Sequence, residues 1–219
     1  MTTPPPPAAR LRRLLLWLTL PLYVLDQMTK AWTVWRFPLP WRQGGPAGLE
    51  PGIDYIPVIE NVFHLVRVHN QGVAFGFGNG TAWAPIVFLI VPFIAVVMIR
   101  VFWKKGVFNH PWCTLAVALL LCGIAGNLTD RLVQGFLLEE LAGGGFWQRL
   151  SAGYVVDFLA VRLPLYDRIV PSSCGWWPAF NVADSCIFIA AFLLFAGGIR
   201  EEFEARKKAE AELKSGEAA

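Results

Sequence analysis

The sequence predicts an integral-membrane, mainly α-helical protein of four transmembrane helices with both termini in the cytoplasm and a small sheet on the outer surface. Three observations carry that reading. Hydrophobic residues fill 55% of the 219 positions and charged residues only 16%, against about 25% charged in an ordinary soluble domain. The apolar residues gather in four blocks, each near the ~20 residues a helix needs to cross ~30 Å of hydrocarbon. The basic residues sit between and beyond those blocks in a pattern that assigns sides. The same composition excludes disorder for most of the chain. Four cysteines in a chain of this length do not make a disulfide-stapled miniature domain.

Taken in order, residues 1–13 form a tail with Pro4–Pro7 and three arginines, Arg10, Arg12 and Arg13. The first span covers about residues 14–35. Its apolar start behind three arginines also describes a cleavable signal peptide. No small-x-small cleavage site follows; Asp26-Gln27-Met28-Thr29-Lys30 does, and apolar Ala31, Trp32, Val34 and Trp35 resume. A retained helix is therefore expected. The outer segment 36–81 contains Ile56, Val58, Val62, Phe63, Leu65, Val66 and Val68, a strand-like composition, and runs into glycine-rich Asn70–Gly78. The second span covers about 82–103 and the third about 111–130. The outer segment 131–178 carries Gly143–Gly145, Trp147, Trp176 and Trp177. Its apolar Phe136, Leu137, Leu138, Leu141, Phe146 and Trp147 suit a membrane interface. The fourth span covers about 179–199. The tail 200–219 mixes charges at helical spacing, as a solvated extension of that helix would. One membrane domain accounts for the whole chain.

Arg100, Lys104 and Lys105 close the second span, and Arg200, Arg206, Lys207, Lys208 and Lys214 follow the fourth. With the three N-terminal arginines, eleven of the 19 basic residues lie on what becomes the cytoplasmic side. The net charge of +3 is thus a topology signal. No nucleic-acid-binding signature accompanies it, and no nucleic-acid partner is expected.

Ionisable groups inside apolar spans are costly, at ~2.5–3.5 kcal/mol on insertion scales, and mark function by default. Three triplets share i, i+3, i+4 spacing and so one helix face each. They are Asp26, Thr29 and Lys30 in the first span; Asn127, Asp130 and Arg131 in the third; and Asn181, Asp184 and Ser185 in the fourth. All three fall toward the outer side. Asp157 is flanked by apolar Val155, Val156 and Phe158. Lys30 and Arg131 are candidates to pair with Asp26 and Asp130. On that reading Asp26 is a helix-packing hub, and Asp130 is either half of an ion pair or a direct participant. Asp157 and Asp184 have no basic neighbour within four residues. Two such carboxylates in a low-dielectric site share one proton. One can then activate water while the other protonates a leaving group, the logic of an aspartic protease.

Other chemistries are poorly supported. His64, His69 and His110 form no metal motif, and no cofactor is expected. His64 and His69, five apart, would face opposite sides of a strand. No G-x-S-x-G is present. Cys113, Cys122 and Cys186 read as core, and outer Cys174 has no evident disulfide partner. A proton- or ion-coupled transporter and a structural assembly subunit are the rival readings of intramembrane Asp and Arg.

At these residues the chain resembles lipoprotein signal peptidase (signal peptidase II), a bacterial membrane aspartic protease. The resemblance runs through Asp26-Gln-Met-Thr-Lys30, Asn70-Gln-Gly-Val-Ala-Phe-Gly-Phe77, Gly126-Asn-Leu-Thr-Asp-Arg131, Val155-Val-Asp-Phe158 and Phe180-Asn-Val-Ala-Asp-Ser185. It implies four transmembrane helices, a small periplasmic β-cradle and a periplasmic loop with a short helix. It implies Asp157 and Asp184 as the catalytic dyad. Asp26, Lys30, Asn70, Gly72, Asn127, Asp130, Arg131, Asn181 and Ala183 would support the dyad or bind substrate. It implies an endopeptidase of the bacterial inner membrane, its site facing the periplasm. It implies cleavage of a prolipoprotein before its diacylglyceryl-modified Cys, without metal or cofactor. It further implies contact with membrane lipid, inhibition by globomycin-type peptide antibiotics and a monomeric enzyme. The chain departs from the family pattern in length: residues 132–156 separate Arg131 from Asp157, where the family has a much shorter connection, and the stretch around 162–173 is also longer.

Overall fold

The computed structural model describes residues 5–37, 55–72 and 83–217. Asp54 and the Val73–Gly78 part of the glycine-rich stretch lie outside the described residues. The described chain is mostly helical and carries one small sheet.

It enters as a continuous helical rod: α1 (Pro7–Leu14), a π turn (Leu15–Thr19) and α2 (Leu20–Arg36). Pro21 accounts for the π turn. A proline offers no N–H to the carbonyl four residues back, and its ring crowds that carbonyl. Here the Leu20 N–H reaches back five residues to the Leu15 carbonyl, which widens the helix just ahead of the ring. The Thr19 hydroxyl then donates to the Ala118 carbonyl at 2.8 Å and ties the widened turn to a neighbouring helix.

That neighbour is α4 (Pro111–Val133), the central helix, with Ala116, Val117, Ala118 and Cys122 fully buried. α7 (Val182–Glu217) packs along it and runs on through the charged tail as one helix. Two glycines set the approach. A Cβ at Gly123 would lie 2.4 Å from Ile187 Cγ1 and 2.6 Å from the Ala183 carbonyl oxygen. A Cβ at Gly126 would lie 2.6 Å from Asp26 Oδ2 and 2.9 Å from Ala183 Cβ. Without side chains here, α4 touches α7 and α2 at once. Small residues at contacts are how helices associate where no hydrophobic effect drives them together. Ala116, Leu119, Cys122, Cys186 and Ala190 form the resulting core. α3 (Ala84–Lys104) instead exposes Ile90, Phe93, Ile94 and Val97, as a lipid-facing helix does.

Three segments are long and apolar enough to cross a membrane among the described residues: Ile86–Lys104, Pro111–Phe136 and Val182–Arg200. The rod from Pro7 to Arg36 is long enough, but Asp26, Gln27, Thr29 and Lys30 in its second half dilute its apolar character.

The sheet has the order β1 (Ile56–Ile59), β2 (Phe63–Asn70), β3 (Val155–Val161), antiparallel throughout. β3 lies in the second outer segment, outside the region of strand-like composition read from the sequence. Its first four residues are all buried, so it shows no polar-apolar alternation to mark it. The β2–β3 register shifts between Leu65 and Val68, where three steps on β2 oppose two on β3. This bulge overturns the expectation that His64 and His69 face opposite sides. His64 is opposite Ala160 and His69 opposite Val156, four residues apart on β3 and so on one face. Between α4 and β3 lie two 3-10 turns, Gln134–Phe136 and Glu139–Leu141, and the short α5 (Phe146–Ser151). Between β3 and α7 lie α6 (Tyr166–Ile169) and a 3-10 turn. Cys113, Cys122 and Cys186 are buried, Cys174 is exposed, and none of the four is in a disulfide.

Candidate active site

The site grows from the start of α7. Asn181 precedes the helix, and its Oδ1 accepts the Asp184 N–H at 2.8 Å. Asp184 Oδ2 in turn accepts the Asn181 N–H at 3.2 Å. This reciprocal capping box satisfies amides that the first helical turn leaves unpaired. Asp26 Oδ1, from α2, accepts the next free amide, the Ala183 N–H, at 2.9 Å. Just upstream, Phe180 exchanges backbone hydrogen bonds with Leu159, which lays β3 beside the entry to α7. Asp157, the third residue of β3, is thereby brought to Asn181.

Asn181 joins the two carboxylates. Its Nδ2 donates to Asp157 Oδ1 at 2.7 Å, while its backbone holds Asp184. Asp157 Oδ2 accepts a second amide from Asn70 Nδ2 at 2.9 Å. Asp184 Oδ1 accepts one from Asn127 Nδ2 at 2.7 Å. Asp157 is 1% exposed and Asn181 wholly buried. Burial, and then the neighbouring charge of Asp184, push the Asp157 carboxyl well above the ordinary carboxylate range. The Asn70 and Asn181 amides and the Lys30 charge oppose that rise without cancelling it.

Beneath this pair lies a second cluster of charges. Lys30 Nζ meets Asp26 Oδ2 at 2.8 Å, Asp130 Oδ2 at 3.0 Å and Asn127 Oδ1 at 3.1 Å, which uses the three protons of an ammonium. Asp130 Oδ2 also accepts the Val156 N–H at 3.0 Å, so the residue before Asp157 is held by the helix that supplies Asn127. The Asp130–Arg131 pairing weighed from the sequence does not form. Successive helical residues point about 100° apart, and Asp130 turns inward to Lys30. Arg131 instead donates to the carbonyls of Gln71 and Gly72 at 3.2 and 2.6 Å and stacks over the Phe88 ring. It grips the turn that presents Asn70, in which the Gly72 N–H donates to Asn70 Oδ1 at 3.0 Å.

All eleven residues singled out in the sequence therefore meet at one end of the bundle. Thr29 does not join them, because its hydroxyl bonds back to Leu25 and Asp26 of its own helix. Ser185 likewise bonds back to the Asn181 carbonyl. Gln27 was missed. Its Nε2 reaches Asp26 Oδ2, the Gly126 carbonyl and Asp130 Oδ1 at 3.1–3.3 Å. An uncharged amide beside Asp26 gave no signal of its own.

The histidines are held elsewhere. His69 stacks on Tyr154 with ring centroids 3.6 Å apart, and Arg67 Nε donates to its Nε2 at 3.1 Å. Burial, followed by the Arg67 charge, lowers the His69 pKa to about 3, so it stays neutral. Arg67 also donates to the Val34 and Phe37 carbonyls, bolting β2 to the end of α2. His64 lies between Tyr55 and Trp176, and burial lowers its pKa too. No group of three or more His, Cys, Asp or Glu that could hold a metal ion occurs among the described residues.

Two solved bacterial membrane enzymes share the fold. One, determined by the in meso method at 2.3 Å resolution, superposes with a TM-score of 0.59 at 21% identity, covering 86% of this chain and 88% of that one. The other, at 1.9 Å, gives 0.55 at 22% identity, covering 84% and 90%. Among curated proteins, the lipoprotein signal peptidase of Aeromonas hydrophila is 31% identical over 189 residues, 85% of this chain and 89% of the relative. That of Pseudoalteromonas atlantica is 34% identical over 184 residues, 82% and 85%. The family model described as signal peptidase (SPase) II matches residues 18–200, a range that takes in every residue of the polar cluster from Asp26 to Asp184. The chain belongs to the signal peptidase II family of peptidases.

Proposed function

We propose that this protein is a membrane aspartic endopeptidase that removes signal peptides from diacylglyceryl-modified prolipoproteins, cutting before the lipid-modified Cys. The single observation that carries the chemistry is the Asp157–Asn181–Asp184 constellation: a buried and a half-buried carboxylate held by one asparagine, with no basic side chain bonded to either among the described residues. Family membership supplies the substrate class.

In this reading Asp184 carries the negative charge, stabilised by the N-terminal end of α7 and the Asn127 amide. Asp157, whose proton is hard to remove, carries the shared proton. Water attacks the scissile carbonyl carbon as Asp184 takes the water proton and Asp157 protonates the carbonyl oxygen. The tetrahedral diol then collapses. Asp184 returns its proton to the departing amine of the modified Cys, and the diol hydroxyl returns one to Asp157. Atoms and charge balance without a covalent enzyme intermediate. Arg131 and Gly72 hold the Asn70 turn at the site, and Lys30, Asp26 and Asp130 brace the helices around it.

The topology that goes with this activity is four spans, with the Pro7–Arg36 rod as the first and both termini in the cytoplasm. The site then faces the periplasm from the inner membrane, where the lipid anchor holds the scissile bond near the surface. The enzyme acts as a monomer and is blocked by globomycin-type peptides. The direct test is cleavage of a lipid-modified precursor by the purified protein. Cleavage that requires the lipid, survives chelators and stops with globomycin supports the reading. Equal cleavage of the unmodified precursor overturns the substrate assignment.

A further inference from the structure

Residues 132–153, the long connection between Arg131 and β3, form a closed loop with a tight base. A Cβ at Gly153 would lie 2.0 Å from the Arg131 carbonyl oxygen, and one at Gly135 would lie 1.9 Å from the Arg149 carbonyl oxygen and 2.9 Å from the Gly153 nitrogen. The two ends thus cross in backbone contact that only glycine permits. Arg149 adds a side-chain clasp: Nη2 donates to the Phe136 carbonyl and the guanidinium lies 5.1 Å over the Phe136 ring. The base is closely packed and joined to Arg131 on one side and to the start of β3, hence Asp157, on the other.

The far side of the loop is apolar and uncovered. Leu137, Phe146 and Trp147 are 64%, 60% and 76% exposed. Phe146 packs against Phe136 at 5.5 Å and Trp147 at 5.2 Å. Phe136 is the last residue of the apolar segment Pro111–Phe136, so this aromatic face continues directly from the outer end of a membrane-spanning helix. Glu139 and Glu140 are exposed on the neighbouring turn, and Arg149 is the one basic residue in 132–153. The loop therefore has no cluster of cations for anionic headgroups, and apolar burial is what it offers. Aromatic side chains at a span end are suited to the boundary between acyl chains and headgroups.

We infer that residues 132–153 are an interfacial anchor that seats Phe146 and Trp147 among the lipids of the leaflet beside the dyad, and through the glycine-locked base sets the depth at which Asp157 meets its substrate. The depth-setting part rests on the peptidase reading; the anchoring part does not. A benzophenone amino acid at position 147, and at position 140 as control, is irradiated in the full-length protein in phosphatidylethanolamine–phosphatidylglycerol vesicles. Lipid adducts at 147 should exceed those at 140 by about fivefold or more, and should not change with the phosphatidylglycerol fraction. Equal labelling at the two positions overturns the anchor. The F146S/W147S double variant should raise KM for a lipid-modified precursor in vesicles about tenfold with kcat within about twofold, and show little change in detergent micelles. An unchanged KM alongside strong adducts overturns the depth-setting role. If the wild type cleaves no precursor, the peptidase reading and the depth-setting role fall together, and the adducts still decide the anchor.

Discussion

Two clusters of acids, all buried except half-buried Asp184, lie side by side in this protein and are built in opposite ways. Asp26 and Asp130 share one lysine, which contacts both within 3.0 Å. Asp157 and Asp184 share one asparagine, and neither forms an ion pair with a lysine or arginine among the described residues. The first cluster has its charges neutralised on contact, while the second has amide donors and each other. A neutralised acid braces helices. A pair of acids held by amides without an ion-paired cation favours sharing a proton, which is what the proposed acid–base hydrolysis uses. Sequence context separates the four acids only by whether a basic residue lies within four positions, and it offers Asp130 the wrong partner in Arg131.

The contrast can be broken most severely at the second cluster. Asp157→Asn or Asp184→Asn should cut precursor cleavage by about 10²–10⁴-fold, with helical content retained by circular dichroism. Activity near wild type in either would show that the pair is not the proton store. At the first cluster the damage should fall on folding instead. Lys30→Met leaves two buried carboxylates uncompensated and should cost about 3–5 kcal/mol, read as a lowered midpoint in thermal unfolding. Neutralising all three groups at once, with Asp26→Asn, Lys30→Met and Asp130→Asn, should recover a large share of it. If the triple variant is no more stable than the single one, Lys30 does more than neutralise.

Asn181 belongs to both the cap of α7 and the dyad, so its loss should show in both measurements. Asn181→Ala removes a cap worth about 1 kcal/mol and the bond to Asp157, and should lower kcat by about tenfold or more while shifting KM little. The smallest and most diagnostic effect is in pH. The folded-state pKa of Asp157 is raised, so the folded chain keeps this proton to a higher pH than the unfolded chain. The stability it contributes is full below the ordinary carboxylate range and is lost as pH rises through the raised value. Relative to Asp157→Asn, the wild type should therefore lose thermal stability from about pH 4 upward, and the difference should level off once the proton has gone. A difference that stays flat with pH would contradict a protonated Asp157.

Much of this site is legible in the chain because membrane sequence is a sparse background. Asp26, Asn127, Asp130 and Asp184 are conspicuous in apolar helices, and i, i+3, i+4 spacing groups them by face. What was not legible has local physical causes. Gln27 is neither charged nor periodic with its neighbours. Strand β3 is buried on both faces, which erases the alternation that marks a surface strand. The one-residue bulge at Val66–Arg67 flips the facing of half of β2, and nothing in Leu65–Val68 announces it. The pairing of Arg131 failed as a sequence inference because adjacency along a helix is not adjacency in space.

By itself, then, the sequence determined the solvent in which most of this chain lives and the residues that cannot be there by accident, since hydrophobicity and charge are additive along a chain. Tertiary structure decided which cation neutralises which acid, giving Asp130 to Lys30 and sending Arg131 to the Asn70 turn. That choice depends on Gly123 and Gly126 letting three helices meet, and on Asn181 and Phe180 drawing β3 to the start of α7. Electrostatic partnership falls off over a few ångströms, and distances that short are set by packing between segments far apart in sequence.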